Sequence, residues 1–165
     1  MEHQALTTYL NDHLAGSVAA IEMLDHLIER APGPEPKNLY ADLRADVAED
    51  QETLQVVIRR LGADESGWRK AGAWLSEKLG RLKLRMDDSA NGALHELEAV
   101  EAISLGILGK LALWRLLAQV AGEVESLRGI DLARLQRRAE DQHSRAESRR
   151  LALARELFQE PSPRR

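Results

Sequence analysis

Apolar residues recur along this chain at steps of three and four, the spacing that lines one face of an α-helix. The first such stretch covers about residues 3–30, with Leu6, Leu10, His13, Ser17, Ile21, Leu24 and Ile28 in phase. It stops at residues 31–36, where three prolines and a glycine break the pattern. A second stretch covers about residues 38–61, on Leu43, Val47, Asp50, Leu54, Val57 and Leu61, and Gly62 is its natural stop. A third covers about residues 93–120, on Leu94, Leu97, Glu101, Leu105, Leu108, Ala112 and Leu116. The fourth starts after Asp131, a good N-cap, and runs to about Phe158 on Leu135, Ala139, His143, Ala146, Arg150, Leu153 and Leu157. Residues 159–165 read as a frayed tail.

These spans predict helices of roughly 35–45 Å, a length suited to a four-helix bundle. Short connections make antiparallel hairpins of helices one and two and of helices three and four. The connection at 63–91 is long enough to cross the bundle, so helix three should run parallel to helix two. The expectation is a single all-α domain over residues 1–158 with one long helical crossover. Within the crossover Trp68, Ala71, Leu75, Leu79 and Leu82 fall on one helical face, between Arg69, Lys70, Lys78, Arg81, Lys83 and Arg85. That face is expected to pack on the bundle. A basic amphipathic helix over 68–85 is also a candidate for contact with a membrane surface.

Composition narrows the function classes. Aromatic residues are 4% of the chain, against many Ala, Leu, Glu and Arg, which excludes a strand-rich fold. There is no Cys, so thiol chemistry, zinc ribbons and iron–sulfur clusters are out. A net charge of −4 argues against nucleic acid as a partner. No apolar run is long enough to span a membrane, and the first residues lack the pattern of a secretory signal, so a cytoplasmic location is expected. Phosphate-binding glycine loops, nucleophile elbows and dinucleotide fingerprints are absent from the sequence.

One repeat carries chemistry. Helix two contains Ala-Glu-Asp-Gln-Glu at 48–52, and helix four contains Ala-Glu-Asp-Gln-His at 139–143. The second copy is Glu-x-x-His, Glu140 with His143, which places both side chains on one helix face. At these residues, and in its helix order with a long crossover, the chain resembles the ferritin-like superfamily of ferritins, bacterioferritins and rubrerythrins. The resemblance implies a carboxylate-bridged iron or manganese centre. Glu22 would match the single Glu of helix one, Glu49 the Glu of the first Glu-x-x-His, and Glu140 with His143 the second pair. Glu52 stands where the family has its first His.

Hairpin geometry tests the fourth ligand. A turn centred near residue 126 sets Glu140 level with about residue 112, and His143 with about 109. The stretch 105–113 holds no carboxylate, and Glu98 and Glu101 lie about 15 Å away along the helix. Leu108 or Ala112 is expected where a fourth carboxylate would stand. Gly106 and Gly109 suggest close helix approach. Three readings of the acids stay open. One is a polar layer joining His143 or Arg150 to Glu22, Asp50 or Glu101. Another is a metal site of Glu22, Glu49, Glu52, Glu140 and His143, and the last is solvated exposure. The functional expectation is an interaction or structural protein with a degenerate metal site and no bound cofactor, a second copy of itself being a candidate partner. The alternative is an iron or manganese oxidase or metal-handling protein.

Overall fold

A computed structural model describes residues 2–62 and 92–159. The crossover at 63–91 lies outside the described residues, and with it the expected docking of Trp68, Leu75, Leu79 and Leu82 and the basic face. Four long helices are described: α1 (Glu2–Arg30), α2 (Pro34–Arg60), α3 (Gly92–Val120) and α4 (Leu132–Phe158). A short 3-10 turn, Glu125–Leu127, joins α3 to α4. There is no strand among the described residues. None of the described helices is long and apolar enough to cross a membrane.

The helix ends follow from local chemistry. α2 begins four residues before the expected Asn38, because Pro34 at its start has the backbone angle a first turn needs and no N–H to lose. Its far end closes through Gly62, at φ +69°, whose N–H donates to the Arg59 carbonyl at 3.0 Å. α4 is capped by Asp131, whose side chain accepts from the Arg134 N–H at 2.9 Å. Buried Leu127 in the 3-10 turn contributes to the core.

Side-chain pairs give the helix directions. Asp25 with Arg44 and Ser17 with Gln51 set α1 antiparallel to α2. Arg115 with Glu140 and Glu101 with Arg150 set α3 antiparallel to α4. Asp50 meets Lys110, and Tyr40 meets Glu96, so α3 runs the same way as α2. α1 also packs against α3, and α2 against α4. One core draws on all four helices, with Trp114, Tyr40, Leu10, Leu24, Leu43 and Leu117 among its largest buried side chains.

The stripe read for α2 is the buried one: Leu43, Val47, Asp50, Leu54 and Val57 are all in the interior. The stripe read for α3 is corrected. Leu94, Leu105, Leu108 and Leu116 are exposed, and α3 instead buries Ala99, Val100, Ile103, Ile107, Leu111, Trp114 and Leu117. α3 is apolar nearly all round, so period alone does not select its inner face.

Candidate functional site

The interior is crossed by a charged layer at mid-length. Asp50 sits on the apolar stripe of α2 and is 2% exposed. A carboxylate held there must find positive partners. α3 supplies Lys110, whose Nζ donates to Asp50 Oδ2 at 2.6 Å and to Gln142 Oε1 on α4. Fully buried Gln142 closes the triangle, its Nε2 donating to Asp50 Oδ2 at 3.0 Å. Arg138 stands 3.4 Å from the other Asp50 oxygen. Burial pulls the Lys110 ammonium below its ordinary value, and Asp50 pulls the other way.

Ion pairs continue outward between α2 and α4. Arg138 pairs with Glu49, Arg134 reaches Glu49 at 3.4 Å, and Arg145 bridges Asp46 and Asp141. Asp46, Glu49, Asp50 and Asp141 thus meet Lys110, Arg134, Arg138 and Arg145, and the cluster is neutral as a whole. Nearer the end of the molecule Tyr40 donates to Glu96, which also accepts from Arg149 Nη2 at 2.7 Å. Burial and the Glu96 carboxylate push the Tyr40 phenol up, so it keeps its proton.

A cleft opens beside the layer, bounded by α1, α2 and α3, with a volume of about 350 Å³. Val47, Leu54, Ile103, Ile107 and Leu113 wall it, with Asp50 and Lys110 among its polar lining. Ser17 accepts from Gln51 Nε2 at 2.8 Å and donates to the Leu14 carbonyl. Tyr9 and His13 meet edge to face, with ring centres 4.7 Å apart. Burial pulls the His13 imidazole below 6.5, against a smaller opposing effect of Asp12. Gly16, Gly106 and Gly109 also line the cleft, and a Cβ built on any of them would meet nothing within 4 Å among the described residues. The expected close approach at Gly106 and Gly109 is therefore corrected: none of the described helices packs closely on them.

Two of the acids singled out from sequence, Glu49 and Glu140, pair with arginines. Glu49 faces Arg138 and Arg134. Exposed Glu140 accepts from Arg115 at 2.9 Å. Glu52 is exposed, and Glu22 and His143 are half-buried. Among the described residues no three His, Asp or Glu side chains stand together as a metal-binding group. Of the expected polar layer, Arg150 reaches Glu101 at 3.1 Å on the surface, whereas buried Asp50 pairs with Lys110, Gln142 and Arg138 rather than with His143 or Arg150.

The hairpin register for α3 and α4 is met, since Lys110 lies level with Gln142. The expected occupant of that level is corrected. Leu108 and Ala112 lie on the exposed face of α3, and the inward side chain is the ammonium of Lys110. The signal was in the sequence: Asp50 on an apolar stripe required a cation, and Lys110 interrupts an apolar run at the matching height. The donor set is therefore a poor fit for a two-metal centre. Two of its carboxylates, Glu49 and Glu140, are turned to guanidinium groups, and a fixed cation stands between α2 and α4.

Comparison with known proteins finds no family model, no curated protein and no solved structure that matches this chain.

Proposed function

We propose that this chain is a four-helix bundle of ferritin-like topology that acts as an interaction protein rather than as a di-metal oxidase. The helix directions support the topology, with two antiparallel hairpins and α3 parallel to α2. The observation that carries the functional reading is the Asp50–Lys110–Gln142 triangle. Metal-bridging carboxylates are neutralised by two cations, whereas here a covalently fixed ammonium and Arg138 neutralise Asp50.

The surface used for interaction is the outer face of α3. Leu105 is 63% exposed, and Leu108, Ala112 and Leu116 extend the same face over three turns. An apolar stripe of this kind marks an interface. The occupant that matches it is a second copy of α3. In an antiparallel two-fold pairing centred near Leu108, Leu105 meets the partner's Ala112, and Glu101 lies beside the partner's Arg115. Both charged groups are about half-exposed and have room for a second partner.

Two measurements test this reading. Sedimentation equilibrium should give a dimer for the native chain and a monomer for the Leu105→Asp, Leu108→Asp double variant. Protein purified from iron- and manganese-supplemented medium should hold well under one equivalent of either metal. A native monomer at all concentrations would remove the proposed interface, and two metal ions per chain bridged by Glu49 and Glu140 would establish the oxidase reading instead.

A further inference from the structure

We infer that the cleft between α1, α2 and α3 is a binding site for a small neutral molecule with an apolar body and one hydrogen-bond acceptor, which Lys110 receives. The first argument is the glycines. A glycine inside a helix costs roughly 1 kcal/mol relative to alanine. Such a residue is usually explained by a neighbour that a methyl group would strike. Gly16 in α1 and Gly106 and Gly109 in α3 have no such neighbour among the described residues, and all three border the cleft. What they preserve is the open volume itself. At about 350 Å³ it falls at the small end of the range for ligand sites.

The second argument is the set of polar groups in the lining. Asp50 and Gln142 occupy two of the three Lys110 N–H donors among the described residues. Trp114, one helical turn further along α3, is fully buried and also lines the cleft. Its indole Nε1–H has no hydrogen-bond partner among the described residues, although a buried donor normally has one. The remaining Lys110 N–H, beside Ile103, Ile107 and Leu113, suits a single carbonyl or ether oxygen carried on an apolar frame.

The third argument fixes the charge. Of the charged residues that line the cleft, Lys110 already neutralises Asp50, and Asp12 is exposed to solvent. An anion in the cleft would bring an uncompensated charge into the interior, and a cation would face the ammonium. His13 at the wall resists protonation because it is partly buried. A neutral guest is the one that disturbs none of these pairs.

Prodan, a neutral naphthalene ketone whose emission shifts to the blue in apolar surroundings, is a suitable probe. The native chain should bind it saturably at one site. Gly106→Leu and Gly109→Leu each introduce a strong helix former into the cleft, and both should weaken binding by about tenfold or more while circular dichroism shows a folded, cooperatively melting protein. A naphthalene hydrocarbon without the ketone should bind about tenfold more weakly than prodan, and a naphthalene carboxylate more weakly still. The Asp50→Asn, Lys110→Met double variant, which removes the pair together, should abolish the preference for the ketone. Absence of saturable binding to the native chain, or equal binding by both glycine variants, would overturn the site. A carboxylate that binds more tightly than the ketone, or a preference that survives the double variant, would overturn the assigned chemistry.

Discussion

Asp50 and Lys110 depend on each other in a way no surface pair does. The Asp50 side chain is 1% exposed and the Lys110 side chain 13%. Lys110→Met leaves a buried carboxylate with Arg138 and Gln142 alone, a change expected to cost about 3–5 kcal/mol. Asp50→Asn in the same chain should recover most of that loss, because it removes the stranded charge. Urea denaturation of the two single variants and the double variant gives the coupling directly. His13 makes a second residue-scale prediction. In the folded chain its imidazole holds a proton less tightly than the ordinary value of 6.5. Between the folded value and 6.5 the unfolded chain therefore binds more protons, and stability falls as the pH falls through this window. The urea midpoint of the native chain should drop as the pH falls below 6.5, and His13→Gln should flatten that part of the profile.

Among the elements, α3 departs furthest from local rules. It carries two interior glycines, and a buried lysine interrupts its apolar run. Gly106→Ala should stabilise the protein by about 0.5–1 kcal/mol, since the added methyl meets no neighbour among the described residues and the helix gains propensity. Calorimetry should show a rise in Tm of a few degrees. The same features explain what the sequence did and did not disclose. On α2, charged and apolar residues alternate at helical period, so the buried stripe from Leu43 to Val57 was legible without a structure. On α3 apolar residues face both ways, and no polar face opposes the core. The reading fell on Leu94, Leu105, Leu108 and Leu116, which are exposed. The hairpin register was legible because it depends only on where the turns lie. The candidate site was legible as far as Asp50. The cleft was not, because open volume beside a glycine depends on a neighbouring helix.

At the scale of the molecule, the parallel course of α2 and α3 has a consequence for assembly. Each hairpin forms through contacts close in sequence. Contacts between the hairpins join distant positions: Asp50 and Lys110 are 60 residues apart, and Asp46 and Arg145 are 99. Closing long loops before any contact rewards them slows folding, so the hairpins are expected to form first and dock afterwards. The docking step desolvates Asp50 and Lys110, each of which is costly to bury without the other. A misregistered docking that buried either charge alone would therefore be penalised and undone. In this sense the chain is a tethered pair of hairpins. Because both hairpins belong to one chain, their docking is intramolecular, and severing the chain between them would turn that step into a bimolecular association.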